Sequence, residues 1–328
     1  MQKFLIIQTA SIGDVILSTS VLEKLHDFYP DAQIDILVKK GIDTLFIDHP
    51  FLKNIYSWDK KDDKIRKLRA ILKKVKAEKY DYVINIQRFG LTGLFTALSG
   101  AKVKIGFDKN PFSILFTHKI KHIIGKKGIH EIDRNHELIK AITDDERGKV
   151  KLYPSTKDFD FVKKYSSGKY ICIAPASLWY TKQFPLSKWI EFLNEVEDNI
   201  KVYLLGAKND IEICNEIVQL SLHKNCLILA GDLSLLQTAA LMKNAHMNYV
   251  NDSAPQHLAS AMNAGISAIF CSTVPEFGFG PLSENSVIIE TDKKLDCRPC
   301  GLHGHKECPE KHFECALSIS KKKLLDRL

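Results

Sequence analysis

The sequence predicts an α/β protein made of two Rossmann-like domains facing across a cleft. Three observations predict it. Short continuous apolar runs have the character of strands buried on both faces, stretches with helical spacing separate them, and the same rhythm restarts after a polar, aperiodic stretch at 150–168.

Taken in order, residues 3–8 (KFLIIQ) form the first apolar run, and a polar turn at 9–14 leads into helical spacing over 15–28, with Val15, Leu22 and Leu25 on one side. Residues 33–38 (QIDILV) are the next strand, and 82–86 (YVINI) follows a lysine-rich helix over about 60–79. Strand–helix–strand alternation implies a parallel sheet with right-handed crossovers. Beyond the junction, 170–174, 201–205, 226–229, 247–250 and 267–270 are five strands, separated by helical segments at 187–196, 209–220, 233–243 and 255–263. The expected domains are therefore 1–160 and 161–328, the second ending in a cysteine-rich tail (297–315) and a C-terminal helix.

Composition narrows the class. With 328 residues, 45% hydrophobic, 26% charged, 17 Gly and 11 Pro, the chain is neither fibrous nor disordered. No apolar run approaches the roughly 18–20 residues that span a bilayer. The N-terminal apolar stretch is broken by Gln8, Thr9, Ser11 and Asp14, so it reads as a strand entering a helix and not as a signal peptide. A cytoplasmic protein is expected. Residues 1–160 hold 29 Lys+Arg against 21 Asp+Glu, and the remainder is balanced at 18 and 18, so the whole +8 excess lies in the first half. That half is expected to meet an acidic partner.

Eight cysteines without a secretion signal point to thiols or metal ligands rather than disulfides. Cys172, Cys214, Cys226 and Cys271 sit in apolar segments and read as core. Cys297, Cys300, Cys308 and Cys315 follow C-x2-C-x7-C-x6-C with three interleaved histidines. Four thiols with one close pair suit a tetrahedral, structural zinc. The alternative is four reduced thiols packed under a C-terminal helix.

Three segments carry chemistry. In S-I-G-D at 11–14, Gly13 lets backbone approach a ligand at a helix N-terminus. Asp14 is there either a helix cap or a general base. At 174–189 a loop after a strand bears Ser177, Thr181 and Lys182, the lysine being a natural phosphate partner or simply solvated. At 250–262 a strand leads through Asp252, Ser253 and Ala254 into a helix with Pro255 in its first turn, whose free N–H groups suit a diphosphate. His257 in that turn is a packing residue or a donor contact.

Together I-I-Q-T-A-S-I-G-D-V at 6–15, S-L-W-Y-T-K-Q-F-P at 177–185 and N-D-S-A-P-Q-H-L-A at 251–259 resemble the ADP-heptose:lipopolysaccharide heptosyltransferases, inverting glycosyltransferases of the GT-B fold. The resemblance runs over nearly the whole chain. It implies that Asp14 deprotonates the acceptor hydroxyl and that Lys182 contacts the nucleotide phosphates. Asp252, Ser253 and Ala254 would bind the donor diphosphate, and no cofactor would be needed for catalysis. The family commonly has Gly where Ala254 stands. Ala is costly there if the backbone must be left-handed and harmless if only a small residue is needed; the second is expected, because Ser-Ala-Pro can remain in ordinary backbone regions.

The resemblance also implies a partner for the basic half: a lipopolysaccharide inner-core acceptor carrying lipid A phosphates and acidic Kdo sugars, reached by peripheral contact with the cytoplasmic face of the inner membrane. Basic patches lie at 60–79, with Ile65, Leu68, Leu72 and Val75 as an apolar stripe, and at 119–127. Gly13 and Arg88, which follows a strand end, are the acceptor-side candidates. Two other readings stay open at this point. One is a GT-B enzyme using another nucleotide sugar, as transferase or epimerase. The other is a basic nucleic-acid-binding protein with a zinc module, which the absence of aromatics among the basic patches disfavours.

Overall fold

Each half of the chain forms a six-stranded, wholly parallel sheet; the computed structural model describes residues 1–124 and 128–328. The first sheet contains β1 (Lys3–Ile7), β2 (Gln33–Lys39), β3 (Leu52–Trp58), β4 (Tyr82–Asn85), β5 (Val103–Phe107) and β6 (His118–Ile120), in the order β3-β2-β1-β4-β5-β6. The second contains β7 (Tyr170–Ala174), β8 (Lys201–Leu204), β9 (Cys226–Ile228), β10 (Met247–Asn251), β11 (Ile266–Phe270) and β12 (Ser286–Glu290), in the order β9-β8-β7-β10-β11-β12. The two orders are the same. Each is the doubly wound pattern, with one switch point where the winding reverses, between β1 and β4 and between β7 and β10.

The first unit, Met1–Tyr153, carries α1 (Ile12–Phe28), α2 (Lys64–Glu78), α3 (Gly90–Leu98) and α4 (Glu131–His136). Helix α1 is buried almost all round from Val15 to Leu25, rather than on one stripe. Its Ser18, Thr19 and Ser20 tolerate this because each hydroxyl donates to a carbonyl one turn back, at 2.7, 2.7 and 2.8 Å. The lysine-rich helix α2 begins at Lys64 and buries Leu68 and Val75 beside Trp58 and Tyr80. Ile65, expected in that stripe, is half exposed. The basic patch at 119–127 lies partly outside the described residues.

The second unit, Pro154–Leu328, carries α5 (Thr156–Val162), α6 (Leu186–Leu193), α7 (Ile211–Leu220), α8 (Leu235–Lys243), α9 (Ala254–Ala261), α10 (Glu314–Leu317) and α11 (Lys322–Leu325). Its boundary precedes the expected 160/161. The supposedly aperiodic 156–162 is helical, because Ser155 and Asp158 form a reciprocal capping box, and α5 packs against α8. The core gathers Trp189, Phe192 and Tyr249 with Phe313, Ile319 and Leu324 from the tail, and the Tyr249 hydroxyl donates to the Leu324 carbonyl at 3.0 Å. Two short C-terminal helices therefore close this core where one was expected. Among the described residues no helix is long and apolar enough to cross a membrane.

Candidate active site

In the second unit the chemistry collects at the switch point. The loop after β7 is fixed by Asn251, a fully buried residue at the end of β10. Its Oδ1 accepts from the Phe184 N–H at 2.9 Å, and its Nδ2 donates to the Pro175 carbonyl at 2.8 Å. Gln183 closes the same loop by donating to the Ser177 carbonyl at 2.6 Å. Held in this way, Lys182 places its Nζ 2.6 Å from Asp252 Oδ2, the two side chains being 15% and 8% exposed. Thr273, just past β11, donates to the same oxygen at 2.7 Å.

Helix α9 starts immediately after Asp252. Ser253 at its N-cap is extended and makes no side-chain cap, so the N–H groups at the head of α9 receive no bond from the residue that would usually cap them. Such a terminus favours an anion. Ala254 is the first helical residue and is absent from the positive-φ positions, which answers the question its departure from glycine raised. His257 is buried in the first turns of the helix.

Thr181 plays another part than expected. Its hydroxyl accepts from the His305 N–H at 2.8 Å and from Ser272 Oγ at 3.0 Å, and it donates to the His305 carbonyl at 3.3 Å. One donor and two acceptor positions exhaust a hydroxyl, so Thr181 is committed to the cysteine-rich segment.

That segment contains thiols at all four positions. Cys300 Sγ donates to the Cys297 carbonyl, Cys297 Sγ lies 3.9 Å from His312 Nε2, and Cys315 is buried in the core. Burial pushes the Cys315 thiol up to about 12. Among the described residues no group of three or more His, Cys, Asp or Glu is arranged to hold a metal ion. Of the four dispersed cysteines, Cys172, Cys214 and Cys271 are fully buried, as expected, and Cys226 is partly so.

In the first unit Asp14 is the third residue of α1. One carboxylate oxygen accepts from Ser11 N and Ser11 Oγ at 3.1 and 2.6 Å, completing a capping box, while Oδ1 accepts nothing among the described residues. Asp14 thus caps the helix and keeps one oxygen for other work. Gly13 is buried in the same turn. The turn is tied to the end of β4 by Thr9, whose hydroxyl donates to Gln87 Oε1 at 2.7 Å, and Lys60 Nζ donates to the Thr9 carbonyl at 2.6 Å. Arg88, next to Gln87, is exposed.

Helix α4, packed on α1, adds a buried ion pair that the sequence reading missed: Arg134 Nε donates to Glu131 at 2.7 Å. Burial holds the Glu131 carboxyl above its ordinary range against the pull of Arg134, and the charge of Asp14 adds to the rise. Nearby His122 is buried and pushed down to about 4, first by burial and then by Arg88 and Arg134. Asn251 and Gln87 lie at or just past the ends of β10 and β4, beside a switch point, and Ser272 and Thr273 lie just past the end of β11, the next strand out; that position was the signal available for them. Nothing comparable marks Glu131, Arg134 or His122.

The model of glycosyltransferase family 9 (heptosyltransferase) matches residues 68–313. The chain is 25% identical over 289 residues to lipopolysaccharide heptosyltransferase 3 of Escherichia coli, covering 84% of this chain and 85% of that one. Its fold is that of a glycosyl transferase family 9 protein from Veillonella parvula, with a TM-score of 0.84, 18% identity and coverage of 99% and 95%. It is also that of E. coli ADP-heptose lps heptosyltransferase II, with a TM-score of 0.81, 20% identity and coverage of 99% and 97%. The epimerase and nucleic-acid readings therefore give way, and the GT-B expectation stands. The chain belongs to glycosyltransferase family 9, the heptosyltransferases.

Proposed function

We propose that this heptosyltransferase moves a heptose from ADP-heptose to a lipopolysaccharide inner-core acceptor with inversion, the first unit taking the acceptor and the second the donor. The acceptor oxygen bonds to the anomeric carbon as the carbon–oxygen bond to ADP breaks. The hydroxyl proton passes to Asp14, and the electron pair leaves with the diphosphate. Lys182 and the uncapped head of α9 stabilise the negative charge that develops there.

The observation that carries the donor half is the adjacency of Lys182, Asp252 and that helix terminus at one switch point. Asp252 would repel a diphosphate, so its part is to aim the lysine. Arg88 and Arg134 supply cationic side chains beside Asp14's unit for an acidic acceptor, one exposed and one paired.

A thermal-shift panel of ADP, UDP, GDP, CDP and ADP-heptose tests the donor. At about 100 times its dissociation constant a ligand adds roughly 2.7 kcal/mol. Stabilisation by ADP and ADP-heptose alone is expected. A preference for UDP or GDP would overturn the assigned donor.

A further inference from the structure

The cysteine-rich segment is the one motif that heptosyl transfer leaves without a task, and its contacts lead back to the donor lysine. It is anchored on both sides. Upstream, the Arg298 guanidinium donates to the carbonyls of Phe270, Cys271 and Thr273 at 3.2, 2.7 and 2.9 Å and pairs with Glu290 at 2.6 Å. The Cys300 N–H then donates to the Ser272 carbonyl at 2.8 Å. Downstream, Phe313 and Cys315 are sunk in the core. Between these anchors His305 clasps Thr181 through both its backbone groups, the Thr181 N–H donating to the His305 carbonyl at 3.1 Å.

Gly304 is where the segment comes closest. A Cβ built there would lie 2.8 Å from Thr181 Oγ1, 3.0 Å from Lys182 Cγ and 3.3 Å from Ser272 Oγ, and its φ of +76° is left-handed. Both facts require glycine. The backbone of the segment therefore stands as a wall against the stem of Lys182, while the Lys182 head meets Asp252. A free lysine side chain samples many rotamers and loses that freedom on gripping a phosphate. A wall on its stem removes much of that loss beforehand.

We propose that residues 297–305 are a strap that positions Lys182 for the diphosphate of the donor, with Gly304 and the Thr181 hydroxyl as its positioning residues. The strap acts through backbone contacts, so it works with its thiols reduced. It rests on the assignment of Lys182 and the α9 terminus to the donor.

Isothermal calorimetry with ADP and steady-state kinetics with donor test it on Gly304→Ala, Thr181→Val and Thr181→Ser. Gly304→Ala and Thr181→Val should each weaken ADP binding about tenfold and lower kcat/KM for the donor at least as much. Thr181→Ser keeps the hydroxyl and should restore the affinity. Hydrogen exchange over 179–185 should rise in Thr181→Val while the melting temperature stays near that of Thr181→Ser. If Gly304→Ala does not fold, the Val and Ser pair decides. Wild-type affinity in Thr181→Val, or equal losses in Val and Ser, would overturn the strap alone. Failure of the wild-type protein to bind ADP would instead overturn the donor assignment and the strap with it.

Discussion

The two units share one strand order and differ in almost everything placed at its switch point. In the first, the loop after β1 presents a carboxylate with one oxygen unused, in a unit that carries the positive excess of the chain. In the second, the loop after β7 presents a cation already paired, nearly buried and clamped from two sides. The topology decides where a site can form, and the side chains at the strand ends decide its chemistry. A half-buried acid with a free oxygen suits proton transfer, whereas a fixed cation beside a helix terminus suits a leaving diphosphate.

The sharpest way to break this division is Asp14→Asn. Turnover should fall by about 10²–10⁴-fold, while calorimetric ADP affinity stays at the wild-type value. Unchanged turnover would remove Asp14 as the base, leaving it only its cap. Lys182→Ala should act on the other side, lowering ADP affinity by about 10–100-fold, as loss of a charge-assisted contact worth roughly 1.5–3 kcal/mol requires. It also leaves Asp252 buried without its cation, so the melting temperature should drop. Adding Asp252→Asn should recover the melting temperature but not the affinity, which separates stability from binding.

Acid should wound the first unit. His49 and His122 both belong to it, and burial pushes each from 6.5 down to about 4. Between those values the unfolded chain binds more protons than the folded one, so the stability they contribute is complete above pH 6.5 and is lost as pH falls to 4. Glu131, whose carboxyl is raised, works in the opposite sense in the upper part of its own titration. Denaturant midpoints should therefore decline over this window, and His122→Gln should flatten the decline; an unaltered slope would dissociate His122 from it. Smallest of all, Ala254→Gly should change ADP affinity by less than about twofold and cost at most about 1 kcal/mol of stability, because Ala254 already sits comfortably in a first helical turn. A large gain in affinity would mean that the site wants a left-handed residue after all.

The sequence made the central strands readable because they are buried on both faces and appear as unbroken apolar runs, β1, β2, β7 and β10 among them. Four strands escaped for physical reasons. β3, β6 and β12 are edge strands with half-exposed residues, and β5 interrupts its pattern with Lys104 and Gly106. Of the candidate site, Asp14, Lys182 and Asp252 were visible because each falls in one of three ordered segments that follow apolar strands, although the cap made by Asp14 shows that such a position also has a structural use. Thr181 was visible as a residue but not in its work, since its partners Ser272 and His305 lie 91 and 124 positions away. The Glu131–Arg134 pair was illegible, because α4 is short and its burial comes from packing on α1, not from any period of its own.

That same distance between Thr181 and His305 sets an order of events during synthesis. A chain emerging from the ribosome completes the first unit early, and domains fold as they appear. The loop that holds Thr181 and Lys182, by contrast, waits for His305, made 124 residues after Thr181, and for the closing contact of Tyr249 with Leu324. A nascent chain stalled before residue 300 would possess Asp14 and all the residues of the loop after β7, yet lack the segment that holds Thr181 and walls the stem of Lys182. On the proposed assignment of Lys182 to the donor, donor binding is thus among the last properties the growing protein acquires.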